Sequence, residues 1–272
     1  MDLKLRAPGA HFRTAGPLGL SRSGGPLTLR SNVDSLSEIL TPGPIGHNAW
    51  NERAAHVAFS RALLAKQIES RQARGSKQIL GLPKSELRSV PDGQEMHKDV
   101  APLFNKMWQE IEAAFKARKN ATTGDLIQVA SAYRSASRDN DAWWRYFPGY
   151  LKKTESKRRK TGEAFGLGPR SLNIMFEFMN GKKAPAGYSG HTHGIAADLT
   201  TREKGHTWGI DSAPTNQAGW QKTWLYQWLV ANAGKHKFYQ LKTETWHWEY
   251  HEGKIPSQCW GASVKERPIP KG

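Results

Sequence analysis

One cysteine, Cys259, stands among 272 residues. That single count removes disulfide-stapled folds and multi-cysteine metal clusters, since each needs at least two thiols. The chain has to be held together by apolar burial instead, and Cys259 reads as a small thiol, buried or partly exposed. Material for a core is present: 38% of the residues are hydrophobic and 11 are Trp, which excludes wholesale disorder. Apolar runs stay well short of the roughly 18 residues that a membrane-spanning helix needs, so no membrane span is expected.

At this length the chain suits one large domain carrying an extension. Residues 1–84 are assigned to a basic, Gly- and Pro-rich N-terminal extension and residues 85–272 to the main domain. Within the extension, residues 1–50 have no sustained periodicity and read as an arm. Val57, Leu64 and Ile68 then recur at helical spacing, which predicts a helix over Ala54–Arg71. "GSKQILGLPKSELRSVPDG" reads as a linker punctuated by Gly and Pro, with the main domain starting near Ser85.

From Val100 the pattern strengthens. Val100, Leu103, Phe104, Met107, Trp108, Ile111, Ala114 and Phe115 keep an i, i+3, i+4 rhythm, an amphipathic helix of about four turns. "LIQVASAYR" reads as a strand over Leu126–Ala132 ending at Arg134. The stretch after it reads as irregular, with the basic run Lys152–Lys160 as a solvated face or mobile loop. "WQKTWLYQWLVANAGK" reads as one helix closed by Gly234, and "KFYQL" and "WHWEY" as two strands.

The formal net charge is +16. Such a balance favours polyanionic surroundings, whether nucleic acid, anionic lipid or anionic wall polymers, and charge alone does not choose among them. A base-reading motif is missing, so specific nucleic-acid recognition is not expected.

Chemistry concentrates in two stretches, "SGHTHGIAAD" (residues 189–198) and "ETWHWEY" (residues 244–250). A catalytic zinc site takes about three protein ligands and keeps one position open. With one cysteine, an N/O donor set is expected. His191 and Asp198 supply two candidates, separated by small residues that let the backbone turn and pack closely; His247 supplies a third. Glu244, three residues earlier, is a carboxylate able to stand near a metal without binding it. His193 is a rival ligand, because i and i+2 share a face on a strand. His206, His236 and His251 stay open by residue type, as does a purely structural role for every one of these histidines.

These motifs resemble a known family. "SGHTHGIAADL" is similar to the Ser-x-His-x-x-Gly-x-Ala-x-Asp motif of the VanY-type zinc D-alanyl-D-alanine carboxypeptidases, a group of peptidoglycan-cleaving metallopeptidases that also includes D-Ala-D-Ala dipeptidases and some phage endolysins. "ETWHWEY" is similar to the family's Glu-x-Trp-His motif and "ASAYRSAS" to its upstream Ser-x-Tyr-Arg-Ser element. All occur in the family's order, over roughly Pro102–Glu252. The resemblance implies an α+β domain, with a small, largely antiparallel sheet flanked by helices. It implies one Zn2+ per chain on His191, Asp198 and His247, with Glu244 as general base. Arg134 is expected to hold the substrate carboxylate or the developing oxyanion, a task suited to a permanently charged, forked donor. Ser189 and Tyr133 are expected to help place the substrate.

The implied activity is hydrolysis of peptidoglycan stem peptides, by removal of a terminal D-alanine. The alternatives are an endopeptidase or lysin, phage-type or injected as a cell-wall-degrading toxin effector, and a non-catalytic wall-binding module. Departures from the family concern the substrate more than the metal. "ASRDND" stands where a glutamine is usual, the segment between Arg134 and His191 is longer than in compact members, and the arm has no counterpart. An apolar leader is not seen at the start, so the expectation is synthesis in the cytoplasm and delivery to the wall by export, injection or lysis. The arm is a candidate docking segment for that machinery.

Overall fold

The computed structural model describes residues 47–262 with 264, 267 and 268; side chains are described from Ala55, Val57 excepted. All but the last residues of the arm lie outside the described residues, as does the side chain of Val57. In chain order the elements are α1 (His47–Ala73), β1 (Leu87–Val90), β2 (Gln94–His97), α2 (Ala101–Ala117), β3 (Leu126–Ser131), α3 (Ala136–Arg159), α4 (Pro169–Asn180), β4 (Ala196–Glu203), β5 (His206–Trp208), α5 (Pro214–Gln221), α6 (Trp224–Asn232), β6 (Phe238–Gln240) and β7 (His247–Tyr250). Every strand pairing is antiparallel, so the fold is α+β with small antiparallel sheets. None of the described helices is long and apolar enough to cross a membrane. The chain divides into two compact units, passing between them after Leu80, Ser135 and Ser189.

The first unit takes the described part of Met1–Leu80 together with Ala136–Ser189. Its core is helical: Phe59, Leu63, Leu64 and Ile68 of α1 pack with Trp143, Trp144 and Phe147 of α3 and with Met175 and Met179 of α4. Trp143 stacks on Phe147 at 5.0 Å, and its indole N–H donates to Gln67 Oε1 at 2.9 Å, so the buried donor is satisfied. The segment expected to be irregular is one helix, α3, with Pro148 inside it. Trp143, Trp144, Phe147, Leu151, Thr154 and Arg158 are buried at helical spacing, and this stripe carries the helix past the single N–H that proline lacks. The basic run Lys152–Lys160 is therefore not a mobile loop. Arg158 within it is buried and donates to the carbonyls of Gly166 at 2.5 Å and Leu151 at 2.8 Å.

The second unit takes Gly81–Ser135 and Gly190–Gly272. Its sheet runs β3-β4-β7-β6, with β5 paired to the outer part of β4. Strand alternation separates two functions. Ala197 and Leu199 of β4 and Trp248 of β7 enter the core with Phe104, Met107, Trp108 and Ile111 of α2 and Leu225 and Leu229 of α6. Their neighbours Asp198, His247 and Glu249 point to the opposite face. The register sets Asp198 across from both Ser131 of β3 and His247 of β7.

Two local readings change. The expected linker ends in strand β1 and the turn of the β1–β2 hairpin, whose Asp92 and Gly93 have φ of 58° and 69°. The single helix expected over residues 220–234 is two. Thr223 adopts extended backbone (ψ 150°), its hydroxyl accepts from the Tyr226 N–H at 3.1 Å, and α6 starts afresh there. Gly234 falls inside a 3-10 turn, and the left-handed residue that ends it is Lys237, φ 63°.

Candidate metal centre

His191 lies in the tight turn before β4. Its carbonyl accepts the N–H of Gly194 at 3.0 Å and of Arg134 at 3.2 Å, while the Ile195 N–H reaches the Gly190 carbonyl at 3.0 Å. The glycines of the motif have steric reasons. Gly194 has φ +67°, and a Cβ there would sit 2.7 Å from the His97 nitrogen; a Cβ on Gly190 would sit 2.7 Å from Glu249 Oε1. The turn can pack against β2 and β7 only without side chains at these two positions.

Each imidazole is anchored through one nitrogen. His191 Nδ1–H donates to the Ala132 carbonyl at 2.6 Å, which turns Nε2 towards Asp198 Oδ2 at 3.1 Å. His247 Nε2 meets Glu249 Oε1 at 2.9 Å, which turns Nδ1 towards Asp198 Oδ1 at 2.8 Å. Two nitrogens and a carboxylate thus converge, all three residues buried. The donor set fits zinc: N/N/O ligands, tautomers fixed from behind by a carbonyl and a carboxylate, and no thiol among them. Glu244 stands just outside, its Oε2 3.9 Å from His247 Nδ1.

Electrostatics follows from burial and pairing. Burial alone would push Asp198 up, but His191 and His247 outweigh it and hold the carboxyl well below the usual range. Burial pulls His191 below its ordinary value against the pull of Asp198. Burial pulls His247 down too, but its bonds to Asp198 and Glu249 win and raise it to about 10. In the ion-free protein His247 is the cation of the cluster, held between two carboxylates.

The remaining sequence candidates are placed as follows. Arg134 Nη1 donates to Ser131 Oγ at 2.9 Å and to Asp198 Oδ2 at 3.3 Å, so the guanidinium is at the cluster's edge. The Tyr133 hydroxyl accepts the Leu82 N–H at 2.9 Å, a bond that pins the start of the second unit. Ser189 belongs to the first unit, where its hydroxyl donates to Asp139. His193 is not part of the converging trio. His206 packs on Trp208, with ring centroids 4.0 Å apart, and His236 pairs with Glu110 at 3.0 Å. His251 is not isolated: its Nε2 lies 3.1 Å from Glu249 Oε2.

Glu249 is the residue that motif reading missed. A period-2 reading of "HWEYH" would have found it, because positions 247, 249 and 251 share one face of a strand. Cys259 is buried nearby, its thiol pushed well up by burial and by Glu249.

The class that fold and site define is an α+β protein with a buried His/Asp/His cluster and an adjacent carboxylate. No protein-family model matches the chain, and no curated protein does. Solved structures do. The chain is similar to the vancomycin-resistance D,D-pentapeptidase VanY from a VanB-type cassette, in complex with Zn(II), at 18% identity over 62% of this chain and 82% of that one, TM-score 0.36. It is similar to VanYB in complex with D-alanine-D-alanine, at 18% identity over 62% and 81%, TM-score 0.36. It is also similar to the LdcB LD-carboxypeptidase, described for its peptidoglycan recognition, at 19% identity over 62% and 69%, TM-score 0.38.

Proposed function

We propose that this chain is a zinc-dependent peptidase acting on peptidoglycan stem peptides, removing a terminal D-alanine. The observation that carries the reading is the convergence of His191 Nε2, Asp198 and His247 Nδ1 on one point, with the Glu244 carboxylate next to it and outside the trio. The substrate class comes from the sequence motifs that resemble the VanY-type carboxypeptidases.

A zinc ion bound there supplies a Lewis acid for the scissile carbonyl and for water. The protein's own residues do the rest. Glu244 takes a proton from the attacking water at its carboxylate and returns it to the leaving amine. Its backbone N–H is tied to the Leu241 carbonyl at 3.2 Å, and its carbonyl to the His247 N–H at 3.4 Å, so the turn that carries it is positioned by the ligand strand. Glu249 and the Ala132 carbonyl hold the two imidazoles in orientation. Arg134 reads the free carboxylate of the substrate, a charge-assisted contact at the edge of the cluster.

The test is mass spectrometry of products from purified muropeptides, with and without a chelator. Loss of one alanine, abolished by chelation and restored by zinc, is the expected result. Scission of the stem or cross-bridge would replace the carboxypeptidase with an endopeptidase. No cleavage by zinc-loaded protein, at any wall substrate, would leave a wall-binding module.

A further inference from the structure

Glu249 has two oxygens, and only Oε1 is used by His247. Oε2 faces a second group of donors. His251 Nε2 lies 3.1 Å from it, Cys259 Sγ lies 3.7 Å from it, and Sγ and Nε2 are 3.8 Å apart. The three ligand atoms lie within 4.8 Å of one another, with Glu249 and Cys259 buried and His251 half-buried. Zinc bonds of about 2.0 Å to N or O and about 2.3 Å to S, set at tetrahedral angles, separate neighbouring ligand atoms by roughly 3.3 Å for N and O and roughly 3.5 Å where sulfur is one of the pair. The observed triangle is close to that size on every edge.

The backbone also holds these donors in place. Cys259 is brought back to β6 through an antiparallel bridge to Leu241, flanked by Lys242 N–H to the Gln258 carbonyl at 2.8 Å and Trp260 N–H to the Gln240 carbonyl at 2.9 Å. The His251 N–H donates to the Lys237 carbonyl at 2.9 Å. In such a pre-set N/O/S triad an arriving divalent cation displaces the thiol proton that now points to Glu249, and thiolate, carboxylate and imidazole then supply its ligands.

We propose that Glu249, His251 and Cys259 form a second divalent-metal site, selective for borderline ions such as zinc and distinct in its ligands from the His191/Asp198/His247 cluster. Glu249 joins the two: one oxygen orients His247, the other binds the second ion. Occupancy of the second site therefore draws charge from the carboxylate that orients His247 and tunes the first site. The proposal does not rest on the peptidase reading, because a thiolate ligand is present in this trio only.

The chain has one cysteine, so every thiolate-to-metal signal reports on Cys259. The metal-free full-length protein is titrated with cobalt(II), following absorbance and bound metal. Two equivalents are expected, one of them giving a near-ultraviolet thiolate-to-cobalt charge-transfer band. Cys259→Ser should lose the band and one equivalent while keeping the other, and His251→Ala should weaken the band-forming step tenfold or more. Should Cys259→Ser fold poorly, X-ray absorption on the cobalt-saturated wild-type chain reads the same point through cobalt–sulfur scattering. Saturation without a thiolate band or cobalt–sulfur scattering would overturn the site and leave a hydrogen-bonded triad. If the band appears with only one equivalent bound, the second site stands and the His191/Asp198/His247 reading fails.

Discussion

Glu244 and Glu249 flank the same histidine, and their geometry assigns them different work. Glu244 is 3.9 Å from His247 Nδ1, on the side where an ion would sit, whereas Glu249 is 2.9 Å from Nε2, on the side away from it. Glu244→Gln is expected to keep fold and bound metal and to lower kcat by roughly 10²–10⁴-fold, since proton transfer goes while the ligands stay; metal content and turnover on the same preparation check this. Glu249→Gln should instead weaken metal at the His191 cluster by about 10–100-fold. That measurement belongs in a Cys259→Ser background, where the second trio cannot contribute. Arg134 gives a third test. Losing a charge-assisted contact of roughly 1.5–3 kcal/mol costs on the order of tenfold to a hundredfold in kcat/KM. Amidating the substrate's C-terminus should cost wild type that much and Arg134→Ala almost nothing more; equal rates on acid and amide in wild type would end the carboxypeptidase reading. Protonation follows from the same contacts. His247 is raised from its ordinary 6.5 to about 10, so its charged form stabilises the ion-free fold fully below 6.5, and that contribution is lost as pH rises through about 10. Urea unfolding of chelated protein at pH 7, 9 and 10.5 should show the fall, and His247→Gln should lack that component.

Among the elements, the contact of α5 with β5 is the most demanding sterically. A Cβ on Gly219 would come within 1.9 Å of the Trp208 ring, so this helix lies against the indole only because position 219 has no side chain. Gly219→Ala should displace Trp208 and destabilise the protein by roughly 1–3 kcal/mol, read as a lower urea midpoint; adding Trp208→Ala should recover part of the loss. The elements also show where sequence patterns were legible. The rhythm from Val100 to Phe115 became α2 because one uninterrupted apolar stripe faces one core. In α3 the stripe was present too, but Pro148, Gly149 and six Lys or Arg over residues 152–160 obscured it. Burial of Trp143, Trp144 and Phe147 overrides those local signals, and no local reading can weigh burial.

At the scale of the molecule, the chain leaves and re-enters each unit. The helix over residues 54–71 falls in the stretch that the sequence assigns to the extension, and its Phe59, Leu63, Leu64 and Ile68 are core residues of the first unit. Deleting residues 1–80 should therefore expose the aromatic face of α3. The truncated protein is expected to bind a hydrophobic dye and to be cut rapidly within residues 136–189 by limited proteolysis. A truncation at 80 as protease-resistant as the full chain would show that α3 and α4 hold their packing without α1.

The sequence by itself determined which chemistry is available. Two histidines, an aspartate and a glutamate appear in motif order, and a local turn built on Gly190 and Gly194 presents His191. Those features are short-range: they depend on residue type and on spacing within a few positions. The tertiary structure decided which groups meet. Antiparallel register sets Asp198 opposite His247; the return of the chain after Pro256 carries Cys259 to Glu249 and His251; and Ser189, next to the motif's glycine, turns to Asp139 in the first unit. Pairings like these are fixed by burial and hydrogen-bond register between segments far apart in the chain, and neither is written in the spacing of any one motif.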